Sequence, residues 1–283
     1  LSIYLPEHGF PVEENPPVLS QNVAQLTVSH RFGANSGIGC LARAVVSGKG
    51  GEGWAQFTLF PDELEIREGR LKQQAELLYR KHEKYWQAVD KNDVALAFGH
   101  AADVVVLAAW RQDAEAFNEE YCRYLQRKHR AGADTPWFAG QIIMIARNDY
   151  TLEVFNGDIG LIMPDAESAN GLAAYFPNAD GFKKIAISRL PQFDSAFAMT
   201  VHKSQGSEYR EVWLLPPSGK IEQGGDDALS GLNNALLYTA ITRARERFVF
   251  WGNEEQWRLA VETRKTRRTA LGDILDAMFV PKA

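Results

Sequence analysis

The sequence predicts an α/β fold, a parallel sheet flanked by helices and interrupted by a small antiparallel β insertion. Residues 104–109 form an apolar run without alternation, as a strand covered on both faces requires, and a helical pattern follows at once. Strands expected at 197–200, 211–215 and 247–251 alternate with helical stretches in the same way. Between Asn156 and Pro191 the pattern changes to short strands punctuated by turn residues, among them Asn178-Ala179-Asp180-Gly181. The expected boundaries are 1–146 for the first part of the α/β domain, 147–195 for the insertion and 196–283 for the remainder.

In chain order, residues 1–25 carry Pro6, Pro11, Pro16 and Pro17, which deny the segment a continuous helix and predict an irregular lead-in. A helix within 26–46, entered through Ser29-His30-Arg31-Phe32, follows from the shared face of Ile38, Leu41, Ala42 and Val45. Over 62–89, Leu64, Leu71, Leu78 and Tyr85 recur every seven residues amid charged neighbours. That spacing predicts one long amphipathic helix, packed on the domain or against a partner helix, with His82 on its face and not a ligand. A short helix is expected near 94–101, and residues 141–145 read as another buried strand. Asp113 is expected to cap a helix whose Ala114, Phe117, Tyr121 and Leu125 share a face. Further helices are expected near 232–243, 253–263 and 270–278, with Asn253 and Gln256 at capping-box spacing.

The chain has 283 residues, 45% hydrophobic and 24% charged, which excludes a disordered, collagen-like or low-complexity polypeptide. Its net charge of −5 mildly repels nucleic acid, so phosphate binding requires a local basic site. Cys40 and Cys122 stand far apart without a CxxC or histidine cluster, which suggests neither a disulfide framework nor a zinc site and fits a reducing, cytoplasmic setting. No apolar run approaches the roughly 20 residues of a membrane helix, so no membrane partner is expected. The chain opens with Leu, which permits the reading that it is part of a longer polypeptide.

Two polar constellations stand out. Thr200-Val201-His202-Lys203-Ser204-Gln205-Gly206-Ser207-Glu208 directly follows an expected strand, where α/β proteins place ligands at the carboxyl edge. Gly206 lets backbone approach a ligand closely, Glu208 offers a carboxylate to a ribose hydroxyl, and the hydroxyl and imidazole groups suit phosphates or sugars; a polar loop capping a helix is the plainer alternative. In Tyr238-Thr239-Ala240-Ile241-Thr242-Arg243-Ala244-Arg245, a helix ends in two arginines. They either offset the helix dipole or, for Arg243, aim a guanidinium at a transferring phosphoryl group. No GxxxxGK followed by Ser or Thr is present, since Gly50 follows Gly48-Lys49 and Ile221 follows Gly219-Lys220. No strand-end Asp-Glu pair suits magnesium, so this chain alone is not expected to hydrolyse ATP. GxSxG and HExxH are absent as well.

These two constellations resemble motifs V and VI of superfamily 1 helicases, and the wording of 198–208 is similar to the RecD family, the alpha subunits of exodeoxyribonuclease V. Ser29-His30-Arg31-Phe32 with Ser36-Gly37-Ile38-Gly39 resembles that family's motif IV. Met144-Ile145-Ala146-Arg147-Asn148-Asp149 and Phe155-Asn156-Gly157-Asp158-Ile159-Gly160 match its wording around the insertion. The resemblance implies a second RecA-like motor domain, interrupted by a small SH3-type barrel, from a 5′ to 3′ DNA helicase of double-strand break repair and recombination. ATP with Mg2+ would lie between this half and an N-terminal motor domain holding the magnesium. Arg31 and Arg243 would reach the γ-phosphate, and Gln205, Gly206 and Glu208 the nucleotide. Thr200, His202 and Ser204 would touch single-stranded DNA, with Arg147, Asn148 and Asn156 near the barrel junction. Implied partners are DNA ends, single- or double-stranded, and the beta and gamma subunits of exodeoxyribonuclease V. A non-catalytic DNA-binding or docking module and a stand-alone RecD-like helicase are the competing readings.

Overall fold

Five parallel strands form the first sheet, in the order β1 (Leu64–Ile66), β10 (Ala244–Phe250), β9 (Tyr209–Leu215), β2 (Val104–Ala108) and β8 (Ala198–Thr200). The computed structural model describes residues 32–33, 36–132, 135–168, 171–218 and 231–264. Every residue of β2 is buried, as are Val212, Trp213, Leu214 and Leu215 of β9, which accounts for the missing polar alternation. Helices α1 (Gly37–Val46), α2 (Gly50–Leu59), α7 (Asn234–Ile241) and α8 (Glu254–Glu262) pack as one group. A second group comprises α3 (Leu71–Lys81), α4 (Glu83–Asp90), α5 (Val94–Ala101) and α6 (Arg111–Arg127). The capping box of α8 forms as spaced: Asn253 Oδ1 accepts from the Gln256 amide at 3.0 Å, and Gln256 Oε1 accepts from the Asn253 amide at 3.2 Å.

Residues 62–89 do not form one helix. Leu64–Ile66 is an edge strand with Leu64 opposite Phe248, flanked by Pro61 and Gly69, both poor in helices. The helical remainder divides at His82, whose backbone ends α3 and begins α4. His82 is a core residue, 1% exposed, with Nε2 3.3 Å from the Val104 carbonyl; burial lowers its pKa to about 4. Helix α2 escapes sequence reasoning because Gly50, Gly51 and Gly53 carry low helix propensity. It is held by packing, with the Phe57 and Trp257 rings 5.2 Å apart and edge-on. Asp113 is not the cap of α6. Trp110 holds that position, and Asp113 in the first turn accepts a hydrogen bond from Ser218 Oγ.

The insertion is a second sheet, antiparallel throughout, ordered β6 (Gly181–Ala186), β5 (Leu172–Asn178), β4 (Ile159–Pro164), β3 (Gln141–Ile145) and β7 (Phe193–Ser195). The implied SH3-type barrel is corrected here, because this sheet is open. Its edges β6 and β7 are separated by the helical turn Ile187–Arg189, and the three residues of β7 pair only with β3. The sheet also begins at Gln141, before the expected boundary at 147, because β3 pairs with β4 and β7 and not with the parallel strands. Ile143, Ile145, Val154, Ile162, Phe176 and Ile185 build its core. At Gly160 an added Cβ would stand 2.6 Å from the Phe176 ring, so only glycine lets that ring lie on β4.

Asn118 of α6 fixes the return to the parallel sheet. Its amide nitrogen donates to the carbonyls of Ser195 at 2.9 Å and Ala198 at 2.8 Å, and its oxygen accepts from the Ala198 amide at 2.8 Å. The lead-in over 1–25, the entry through Ser29, His30 and Arg31, and the helix expected at 270–278 lie outside the described residues.

Candidate functional site

Thr200 ends β8 opposite Ala108, at the carboxyl edge of the parallel sheet. The helical turn Val201–Ser204 follows, with Thr200 Oγ1 accepting from the Lys203 amide at 3.4 Å. His202 is exposed on this turn and Gln205 just after it. Ser204 is fully buried and its hydroxyl donates to the Val201 carbonyl at 2.8 Å. That hydroxyl holds the turn together, which corrects the strand contact implied for it.

The segment then returns along the sheet to its amino edge, where Tyr209 opposes Ala244 and the Tyr209 amide donates to the Arg243 carbonyl at 2.9 Å. Gly206 adopts φ +87°, a left-handed conformation, with no atom within 4 Å of where a Cβ would stand. Arg243 Nη1 donates to the Ser207 carbonyl at 3.2 Å and Nε to the Thr239 carbonyl at 3.2 Å. Arg245 pairs with Glu208 at 2.9 Å. The constellation expected at the carboxyl edge is thus divided. Thr200 and His202 stay there, while Ser207 and Glu208 join Arg243 and Arg245 at the amino ends of β9 and β10. Burial raises the pKa of the Tyr209 phenol at this edge, an effect opposed by a hydrogen bond with Ser207 and by the Arg243 charge.

Arg31 lies outside the described residues. Five residues on, Ser36 Oγ and the Ile38 amide both donate to Glu63 Oε2 at 3.1 Å, which fastens the start of α1 beside the amino end of β1. The start of α1 therefore lies at the same edge as Arg243.

On the insertion, the Asn156 amide donates to Asn148 Oδ1 at 2.7 Å, and Arg147 is exposed and makes no ion pair among the described residues. Asp149 Oδ1 accepts from the amides of Thr151 and Leu152, both at 2.9 Å, and so closes a turn. Tyr150, 77% exposed, and Phe155, 45% exposed, stand edge to face with ring centres 6.0 Å apart. Sequence reasoning missed this aromatic pair, although two aromatics flanking an Asp-led turn were legible. It also missed Trp110 and Arg111, which leave β2 at the Thr200 edge. Asp194 of β7 bridges the two regions, pairing with Lys203 at 2.7 Å and Arg111 at 3.5 Å.

Among the described residues no three His, Cys, Asp or Glu side chains gather to hold a metal, and no helix is long and apolar enough to cross a membrane.

Residues 195–250, which contain both edges of this site, match the UvrD-like helicase C-terminal domain. The RecBCD enzyme subunit RecD of Mycolicibacterium smegmatis is 32% identical over 256 residues, 89% of this chain and 43% of that protein. The same subunit of Haemophilus influenzae is 27% identical over 280 residues, 90% of this chain and 41% of that protein. The ATP-dependent RecD2 DNA helicase of Deinococcus radiodurans is 33% identical over 133 residues, 47% of this chain and 17% of its own. The chain belongs to the RecD family. It spans less than half the length of these relatives, as fits a C-terminal portion.

Proposed function

We propose that this chain is the C-terminal motor half of an ATP-dependent 5′ to 3′ DNA helicase, a subunit of an exodeoxyribonuclease V complex acting in double-strand break repair. Its partners are then DNA ends, the beta and gamma subunits, and its own N-terminal motor domain. The observation that carries this reading is the Arg243 to Ser207 hydrogen bond, which joins motif VI to the loop that begins at Thr200. The amino edge fits a nucleotide. Gly206 leaves open space for close approach, and Arg243 is held by two carbonyls with its Nη2 unpartnered among the described residues. ATP with Mg2+ would supply the free energy, the metal being held by the other half.

Within that reading, Arg243 and Arg31 face the γ-phosphate, and Gln205, Gly206 and Glu208 line the rest of the nucleotide. Thr200 and His202 grip the single strand from the carboxyl edge, and Arg147, Asn148 and Asn156 extend the track onto the insertion. Tyr150 and Phe155 add faces on which bases stack. An arginine that reaches its phosphate only in the closed cleft ties hydrolysis to domain closure, and residues 201–208 pass that closure to the strand grip. The test is unwinding of 5′-tailed duplexes by the full-length protein with its partner subunits. ATP-dependent unwinding stimulated by the tail is the expected result. Strand binding without any stimulated hydrolysis would favour a docking module instead.

A further inference from the structure

The inserted sheet and the parallel sheet meet at the crossing from β7 to β8, and two different kinds of contact hold that crossing. One is the buried side chain of Asn118, whose hydrogen bonds reach Ser195 and Ala198. The other is Asp194, whose side chain is 29% exposed. Its Oδ2 accepts from Lys203 Nζ at 2.7 Å, and its Oδ1 lies 3.5 Å from Arg111 Nη2. Among the described residues, Asp194 is the insertion residue that makes ion pairs with the parallel domain. Lys183 pairs with Glu153, and Lys184 with Asp165 and Glu167, all within the insertion. Arg111 also pairs with Glu115 at 2.6 Å, so Lys203 is the nearer and less divided partner of Asp194.

The two ends of the Asp194–Lys203 pair belong to different parts of the DNA track proposed above. On the insertion, β7 pairs with β3 as far as Ile145, and the Ala146 amide donates to the Gln192 carbonyl at 2.8 Å. The backbone that bears Asp194 thus also aligns the exit towards Arg147 and Asn148. On the parallel domain, the Lys203 amide donates to Thr200 Oγ1 at 3.4 Å, within the turn that carries the exposed His202. The fold has a separate fastening at this crossing, since Asn118 holds it from the interior, and a half-exposed ion pair adds little to stability. Two sets of contacts held at a fixed separation bind one DNA strand more tightly than either set alone, because the second engagement is intramolecular. Resting on the strand-binding role proposed above, we infer that Asp194 is a positioning residue. Through Lys203 it sets the 201–204 turn against the insertion, so that Thr200 and His202 engage the same DNA strand as Arg147 and Asn148.

The test is a double-mutant cycle in the full-length protein, read as affinity for a single-stranded thymidine oligomer by fluorescence anisotropy. Asp194→Asn keeps the side-chain volume and removes the charge, Asp194→Glu keeps the charge, and thermal melts establish that each variant is folded. Asp194→Asn is expected to weaken binding about tenfold, and Asp194→Glu no more than about twofold. Arg147→Ala, expected to cost about tenfold in the wild type, should cost no more than about threefold in the Asp194→Asn background, because the insertion there no longer acts jointly with the turn. An undiminished cost of Arg147→Ala in that background would make the two residues independent and overturn the proposal. So would an unchanged affinity of Asp194→Asn, or a tighter one, which would mean that Asp194 only screens Lys203 and Arg111 from the DNA. A loss in Asp194→Glu equal to that in Asp194→Asn would assign the effect to packing and overturn it as well. A wild type that binds no single strand would overturn the strand-binding role itself, and the proposal with it.

Discussion

Arg243 donates from Nη1 to the carbonyl of Ser207 across 3.2 Å, while its Nε holds the carbonyl of Thr239 one turn back on its own helix. The helix-end contact of this arginine is compatible with the phosphate role proposed for it. It satisfies an orphan carbonyl at the end of α7, as the helix-end reading requires, and the same tethers hold its guanidinium over the amino edge. The two carbonyl contacts use Nε and Nη1, and Nη2 has no partner among the described residues.

Arg243→Ala in the full-length protein is expected to lower DNA-stimulated ATP turnover by about 10³ or more, with nucleotide affinity changed by only a few-fold. The lost tethers should cost about 1–2 kcal/mol of stability, so the assay is run below the melting transition of the variant. Steady-state hydrolysis and binding of a fluorescent nucleotide separate the two effects. Unchanged turnover in a folded variant would remove the arginine from the reaction.

Two glycines are expected to respond differently to alanine, for different physical reasons. At Gly206 the added methyl meets nothing, and only the left-handed φ of +87° resists it, so Gly206→Ala should lose about 1 kcal/mol. At Gly160 the methyl would collide with Phe176 at 2.6 Å, and Gly160→Ala should lose about 2–3 kcal/mol. Thermal melts of the two variants check the order. A larger loss at Gly206 would mean that the loop is packed against something not yet identified.

The parallel sheet was legible in the sequence because its strands are buried on both faces, so that 104–109 and 212–215 read as unbroken apolar runs. Strand β1 was not legible, since Leu64 also falls on the seven-residue spacing of α3 and α4; only its pairing with Phe248 reveals it. The wording of 200–208 pointed to the site, but not to its division between two edges. That division depends on the segment running back along the sheet to Tyr209, and no local pattern encodes the path. Openness of the inserted sheet was hidden for a similar reason, because closure depends on how far the short β7 reaches.

Tyr150→Ala is expected to weaken binding of single strands by about tenfold while leaving ATP turnover without DNA unchanged. A stacked base contributes about 1–3 kcal/mol, and Tyr150 at 77% exposure has little packing to lose. Arg147→Ala should weaken binding to a similar degree and also flatten its salt dependence, which Tyr150→Ala should not. Fluorescence anisotropy with labelled oligonucleotides across a salt series distinguishes the two. Identical salt slopes for both variants would show that Arg147 does not meet the phosphates.

His82 should make the domain acid-sensitive well above the range in which carboxylates titrate. Burial lowers its pKa to about 4 from the ordinary 6.5, and the charges of Asp103 and Glu211 only partly oppose that effect. Well above pH 6.5 neither the folded nor the unfolded chain is protonated there, and the residue leaves stability independent of pH. As pH falls from 6.5 towards 4, the unfolded chain takes up a proton that the folded chain refuses, so stability is lost through this window. The loss is complete below about pH 4, at about 3 kcal/mol. His82→Gln keeps a donor for the Val104 carbonyl but does not titrate, so its melting temperature should vary less than the wild type's between about pH 7 and about pH 4.5. Parallel melting curves for the two proteins across that range would place the acid sensitivity elsewhere than in His82.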